Sequence, residues 1–195
     1  MELENLKKCA LDRFIPLVRE ETGKALQGEC KKCQPKNILE IGTAIGYSAL
    51  LMLSCCDGNI CTLEKDEARF KEAENNFAQY GVLSRIEMHL GDAKDYLEEY
   101  ARSGRKFDFV FLDGPKGQYI HYLPLIKAIL SKNGTLFADN VKLLGLVGHD
   151  EKVTHKNRTM TRNMTKFIDE ISHDEDFETQ FFTIEDGYLV AKKVN

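Results

Sequence analysis

Acidic and amide side chains stand at the ends of two apolar runs, where they could hold a cation. Asp113 follows Phe107–Leu112, and Asp139 and Asn140 follow Thr135–Ala138. Such runs are typical of strands buried in a parallel sheet, and the carboxyl ends of these strands meet at one edge. Carboxylate and amide oxygens suit Mg²⁺, with Mn²⁺ or Ca²⁺ as alternatives. The sequence therefore predicts a divalent-cation site.

Lys116 lies shortly after Asp113 and could serve the same site. A nearby divalent cation would disfavour its ammonium form, and the neutral amine could then accept a proton. Lys116 is therefore our candidate general base. The alternative is a surface lysine that forms a salt bridge.

A second candidate site surrounds the turn after the strand-like run Asn37–Ile41. Gly42 and Gly46 mark the turn, and helix-forming residues resume at Ser48. A strand, a glycine turn and a helix N-terminus form the nucleotide-binding unit of α/β folds. The dinucleotide motif needs a third glycine, and Glu40 would repel phosphates but accept a hydrogen bond from an ammonium group. The turn therefore favours S-adenosylmethionine (SAM) over NAD, with a ligand-free glycine turn as the alternative.

Further acids end the neighbouring strand-like runs. Glu64 follows Gly42 by about 20 residues, the interval at which such folds place a carboxylate on the ribose hydroxyls. Asp92 follows the run Arg85–Leu90. A single acid at a strand end is often only a cap, but five successive strand ends carry one, at Glu40, Glu64, Asp92, Asp113 and Asp139. This repetition indicates a binding site at one edge of the sheet.

Strand and helix patterns alternate along the chain and imply an α/β fold with a doubly wound, mostly parallel sheet. The runs Phe177–Ile184 and Tyr188–Val194 predict a C-terminal antiparallel hairpin, which makes the sheet seven-stranded. We expect a single domain over residues 1–195, with residues 1–35 as an N-terminal helical cap. The segment Val141–Asn157 is expected to be a loop over the site, and Arg158–Ser172 a helix.

Composition and charge narrow the class of protein. The chain has 195 residues, of which 43% are hydrophobic and 30% charged, as in soluble globular proteins. Without a long apolar run or a signal-peptide pattern, we expect a cytoplasmic protein with no membrane association. A net charge of -4 gives no general attraction to nucleic acid. Cys30 and Cys33 have a metal-like spacing but no second pair, so we expect reduced thiols.

Together these motifs resemble the small class I SAM-dependent O-methyltransferases, the catechol and caffeoyl-CoA O-methyltransferase family, from about residue 14 to the C-terminus. The matching segments are Leu39–Ser48, Glu64, Gly91–Ala93, Asp113–Tyr119 and Asp139–Val141. Ile15–Val18 resembles the segment that lies over the cofactor in this family. Within the family, Gly42–Ser48 and Lys116–Tyr119 are most similar to the bacterial branch containing the tRNA 5-hydroxyuridine methyltransferase.

The resemblance implies a Rossmann-like fold, a homodimer and specific roles. SAM would be bound by Val18, Glu40, Gly42, Tyr47, Ser48, Glu64, Asp92, Ala93 and Asp113. Asp113, Asp139 and Asn140 would bind the metal, and Lys116 would be the base, with Asp113 as the second catalytic residue. Gly114 and Pro115 depart from the alanine or polar residue that many members have after the aspartate, which could reshape the loop that holds Lys116.

A basic stretch suggests the acceptor of the methyl group. It contains Lys152, His155, Lys156, Arg158, Arg162 and Lys166. The last three recur at helical spacing and share a face, which suits phosphate contacts to RNA. We therefore predict that tRNA is the acceptor, with 5-hydroxyuridine converted to 5-methoxyuridine and with Lys156, Arg158 and Arg162 as RNA contacts.

Three alternatives remain. The basic stretch could be a solvated helix face, in which case the acceptor is a small catechol-like or phenolic molecule. A non-catalytic protein that binds SAM or RNA would need neither metal ligands nor Lys116. An NAD-linked oxidoreductase conflicts with the missing third glycine.

Overall fold

The computed structural model describes residues 3–142 and 157–195 of the protein. The strands are β1 (Asn37–Ile41), β2 (Asn59–Glu64), β3 (Ile86–Leu90), β4 (Phe107–Leu112), β5 (Leu130–Asp139), β6 (Phe177–Phe182) and β7 (Tyr188–Lys193). The helices are α1 (Glu4–Asp12), α2 (Glu20–Cys33), α3 (Tyr47–Leu53), α4 (Glu67–Gln79), α5 (Ala93–Ser103), α6 (Tyr119–Ile129) and α7 (Arg158–His173). Most of the predicted bounds lie within a residue or two of these.

The strands form one seven-stranded sheet in the order β3-β2-β1-β4-β5-β7-β6. Strands β1 to β5 pair in parallel. Strand β7 pairs antiparallel with both β5 and β6. The predicted doubly wound sheet with its C-terminal hairpin is therefore confirmed.

The core lies on both faces of the sheet, because successive residues of a strand point to opposite faces. On one face Leu39 and Val110 pack with α5, α6 and α7. On the other face Ile38 and Phe109 pack with α1 to α4. Burial on both faces explains why the central strands are apolar without alternation. Within the part of the chain that the structure describes, no helix is both long and apolar enough to cross a membrane.

Strand β5 begins earlier than predicted, at Leu130 instead of Thr135. Leu130 pairs with Phe107, and the pairing resumes with Thr135 opposite Phe109, so residues 131–134 form an irregularity within the strand. Asn133 has the left-handed backbone conformation of a turn residue, with φ 63°. The turn that Asn133 and Gly134 favour is therefore present but lies inside the strand, because the buried Leu130 is held in the core.

Most of the predicted loop Val141–Asn157 lies outside the described residues, and so do Lys152, His155 and Lys156 of the basic stretch. Val141 and Lys142 are described, and both pair with the turn between β6 and β7. Asn157 is described at the start of α7.

Candidate functional site

The glycine turn after β1 brings that strand against the end of β4. Gly42 has φ 103°, and a Cβ atom there would lie 2.4 Å from the carbonyl oxygen of Asp113. Gly46 has φ 84°, and a Cβ atom there would lie 2.5 Å from the Phe77 ring. The fold therefore requires both glycines, whatever ligand the turn binds.

Glu64, the last residue of β2, fixes the shape of this turn. Its carboxylate accepts hydrogen bonds from the backbone N–H groups of Ala44 at 2.8 Å and of Lys65 and Asp66 at 2.9 Å each. The side chain is almost fully buried, yet it lines a cavity of about 460 Å³. Glu64 therefore lies at the edge of this cavity, and its predicted contact with the ribose stays a prediction.

Two cavities meet at Asp113. The smaller one is lined by Gly42, Glu64, Asp92, Ala93, Asp113 and Tyr122, among others. The larger one, about 740 Å³, is lined by residues that include Val18, Asp113, Lys116, Asn140 and Met160. Two ligands could therefore approach Asp113 from different sides.

Lys116 lies at the centre of a polar cluster beside Asp113. Its Nζ donates to Asp113 Oδ1 at 2.6 Å, to the Tyr119 hydroxyl at 2.8 Å and to the Asp139 carbonyl at 3.3 Å. The hydroxyl of Tyr119 in turn donates to the Leu112 carbonyl at 2.8 Å. Burial, with Asp113 and Asp139 nearby, raises the pKa of Tyr119 well above its usual value, so this hydroxyl stays protonated. Tyr119 is a member of the site that our sequence reasoning missed as a functional residue.

Asp139 and Asn140 follow on the neighbouring strand. Asp139 is only 2% exposed, and its Oδ1 accepts the Asn140 N–H at 2.6 Å. Burial and the charge of Asp113 raise the pKa of Asp139 to about 7, although Lys116 opposes this. Asn140 has φ 56° and lines the larger cavity. Two carboxylates and an amide beside the Lys116 ammonium group form a hard, electron-rich donor set, which fits a divalent cation such as Mg²⁺.

Glu40 lies behind the glycine turn, in the interior. It is fully buried, and its two carboxylate oxygens accept hydrogen bonds from Ser48 Oγ and Thr62 Oγ1, each at 2.5 Å. Glu40, Tyr47 and Ser48 are not among the residues that line the two cavities. In this arrangement Glu40 supports the turn through Ser48. Thr62 had no signal in the sequence beyond its place in a strand.

Burial raises the pKa of Glu40 from 4.5 to about 7, although the two hydroxyl groups oppose the shift. The stability that this group contributes is thus greatest below about pH 4.5 and is lost as the pH rises to about 7. We expect Glu40→Gln, which stays neutral, to raise the free energy of unfolding at pH 8 by about 2 kcal/mol relative to wild type. At pH 5 the difference should fall below about 1 kcal/mol, because the folded-state carboxyl is then protonated and the unfolded-state carboxyl is only partly ionised.

Urea denaturation at the two pH values measures this difference. Glu178→Gln, at an exposed glutamate of β6, is the matched control and should show no pH-dependent difference from wild type. An equal effect of Glu40→Gln at pH 5 and pH 8 would contradict the assigned titration.

The basic residues on α7 begin at the rim of the larger cavity. Met160 lines this cavity, and Asn163 Nδ2 donates to the Gly117 carbonyl at 2.8 Å, which holds the helix against the segment after β4. Arg158, Arg162 and Lys166 are all exposed on the opposite side of α7 from its buried residues. These cations therefore lie on the helix that contributes Met160 to the cavity, but on its solvent-exposed face, and Lys156 lies outside the described residues.

A separate group of potential metal ligands lies on β2 and β3. Ligand atoms of Cys61, Glu87 and His89 lie within 4.8 Å of one another. Arg105, however, donates to both carboxylate oxygens of Glu87, at 2.8 and 2.6 Å, and its guanidinium lies 4.8 Å from the centre of the Tyr100 ring. Because Arg105 already neutralises Glu87, we interpret this cluster as a salt-bridge network.

Comparisons with known proteins agree on one family. Residues 3–194 match the family model described as O-methyltransferase. A catechol O-methyltransferase of Niastella koreensis is 36% identical over 146 residues, which cover 73% of this chain and 63% of that relative. The chain therefore spans less than two thirds of this relative's length.

Solved structures show the same fold. A Staphylococcus aureus structure is 27% identical, with a TM-score of 0.91 over 99% of this chain and 92% of the other. The O-methyltransferase TomG of Streptomyces achromogenes, in complex with SAM, is 25% identical, with a TM-score of 0.87 over 99% of this chain and 89% of the other.

Proposed function

The chain belongs to the O-methyltransferase family, and on that premise we propose that it transfers the methyl group of SAM to an acceptor hydroxyl. The similar TomG structure holds SAM, which supports SAM as the donor here. Glu64, Asp92 and Ala93 line the smaller cavity, which would take the adenosine part of SAM. Val18 lines the larger cavity, which would take the acceptor, and its predicted contact with SAM stays a prediction.

The observation that carries this proposal is the position of Asp113. It lines both cavities, and its carboxylate is paired with Lys116. A donor in one cavity and an acceptor in the other would meet beside this pair, and holding two reactants together in the correct orientation supplies much of a transfer rate.

Asp113, Asp139 and Asn140 would hold a divalent cation. When bound, the cation would supply Lewis-acid chemistry that lowers the pKa of an acceptor hydroxyl. An acceptor with a second oxygen beside that hydroxyl would suit this site best, since cations of this kind bind several oxygen ligands.

Lys116 would take the proton of the acceptor hydroxyl. Asp113, the Tyr119 hydroxyl and the Asp139 carbonyl hold its Nζ at the edge of the larger cavity. A divalent cation bound beside this amine would favour its neutral form, which can act as a base.

For the acceptor we favour 5-hydroxyuridine in tRNA. The 4-oxygen of this base lies beside the hydroxyl. The exposed cations Arg158 and Arg162 are on α7, the helix whose Met160 lines the larger cavity, and they would contact RNA phosphates. An uncharged phenol carries no phosphate group for these cations to bind.

A small catechol-like acceptor is the second candidate. The larger cavity has an aliphatic wall of Leu11, Ile15, Pro16, Leu17 and Val18, which suits a planar ring. The Niastella koreensis relative, named for catechol, also supports it.

The test is a methyl-transfer assay with isotope-labelled SAM and Mg²⁺, in which tRNA carrying 5-hydroxyuridine and free catechol compete. Mass spectrometry of the nucleosides should find labelled 5-methoxyuridine. Label in the catechol alone would favour the second candidate. Label in neither acceptor, with added Mg²⁺ or Mn²⁺, would contradict the proposed function.

A further inference from the structure

One wall of the larger cavity is the segment that joins α1 to α2, residues 13–19, which we call the strap. Its residues from Ile15 to Arg19 line the cavity, whose other walls include Asp113 and Lys116. The strap therefore faces the place where the acceptor would bind.

An ion pair ties each end of the strap to another element. Arg13 donates from Nη1 and Nη2 to the two carboxylate oxygens of Glu72 of α4. Arg19 pairs with Asp186 of the turn between β6 and β7, at 2.6 Å. Between these ties Phe14 is 94% exposed, whereas Val18 is buried. The two ion pairs thus hold the ends of the strap, while Ile15, Leu17 and Val18 pack against the core between them.

The turn between β6 and β7 also holds the start of α2. Arg19, the N-cap residue of α2, gives the helix no side-chain hydrogen bond. Glu185 supplies the cap instead, since its carboxylate accepts from Thr22 N–H at 3.1 Å and from Thr22 Oγ1 at 2.8 Å. A carboxylate at this end of a helix also interacts favourably with the helix dipole.

The same turn fixes the chain directly after Asn140. The Asp186 carbonyl accepts the Lys142 N–H at 2.9 Å, and the Gly187 carbonyl accepts the Val141 N–H at 3.0 Å. Glu185 and Asp186 both line the larger cavity. One turn therefore connects the strap to the strand end that carries Asp139 and Asn140.

We propose that the turn Glu185–Gly187 positions the strap over the acceptor cavity, with Asp186 acting through Arg19, and that this contact sets the affinity for the acceptor. The inference rests on the proposed function. Arg19 is half-exposed, so its ion pair contributes little to global stability. Losing the pair should loosen the strap and leave the fold intact.

Asp186→Asn tests this, because the backbone contacts of the turn remain while the charge is lost. We expect the KM for the acceptor to rise by about fivefold, with kcat changed less than about twofold. The charge swap Arg19→Asp with Asp186→Arg should restore the KM. Glu178→Gln, on the same hairpin but exposed, should leave both constants unchanged.

Hydrogen exchange of the backbone gives a readout that does not depend on activity. Amides of residues 13–19 should exchange faster in Asp186→Asn than in wild type, and the charge swap should reverse this. Unchanged exchange in Asp186→Asn, or a loss of kcat at constant KM, would overturn the proposal. If the wild-type protein methylates neither tRNA nor catechol, the proposed function fails, and the exchange measurement alone decides whether Asp186 holds the strap.

Discussion

Replacing Asp139 with alanine should abolish methyl transfer and leave the protein folded. We expect kcat/KM to fall by at least about 1,000-fold, because the divalent cation would lose a carboxylate ligand and the acceptor hydroxyl would lose its activation. Asp139 is almost fully buried, and burial raises its pKa to about 7, so its charge is poorly solvated in the folded protein. Removing it should therefore not lower the free energy of unfolding at pH 8.

Initial rates at saturating SAM, with the thermal midpoint measured in parallel, check this expectation. Asp169→Ala, at an exposed aspartate of α7, is the control and should keep the wild-type rate. Excess chelator should stop the wild-type enzyme, and Mg²⁺ or Mn²⁺ should restore it. A full rate in chelator, or in Asp139→Ala, would refute the metal role of this residue.

The sheet was predictable because burial leaves a simple pattern in the sequence. Central strands such as Asn37–Ile41 and Phe107–Leu112 are apolar on both faces, and parallel strands must return through helices. The start of β5 was not predictable. Asn133 and Gly134 are a strong local turn signal, which predicts that the strand begins after them. The strand begins earlier because Leu130 packs in the core and pairs with Phe107.

Residues at strand ends were also predictable, whereas residues inside strands were harder to place. Asp113 follows its strand and Glu64 ends its own, and both line a cavity. Glu40 lies one residue before the end of β1, so its side chain points to a face of the sheet and becomes buried against Ser48. Its predicted contact with SAM stays a prediction.

Contacts between distant parts of the chain left no local signal. Glu185 caps α2 across 163 residues of sequence. Tyr119 is the first residue of α6, and its hydroxyl lies beside Lys116 because this helix packs against the sheet. Such contacts follow from tertiary packing, which neither periodicity nor motif spacing reports.

The double variant Arg158→Glu with Arg162→Glu should separate the two candidate acceptors. If RNA phosphates contact these residues, tRNA affinity should fall by about 100-fold, and its dependence on salt should flatten by somewhat less than one unit of slope per lost contact. Binding measured at several salt concentrations gives both quantities. Lys31→Glu with Lys32→Glu changes the net charge equally on exposed α2 residues outside the larger cavity and is the matched control.

Catechol methylation decides how a loss of tRNA activity is to be understood. A catechol carries no phosphate, and neither arginine lines the larger cavity, so the double variant should methylate catechol at nearly the wild-type rate. An equal loss with both acceptors would mean that α7 supports the cavity through Met160 and Asn163, with no evidence for RNA. Normal tRNA methylation would identify the arginines as a solvated helix face. The RNA hypothesis therefore requires a selective loss, in which tRNA binding weakens while the chemistry at Asp113 and Lys116 continues unchanged.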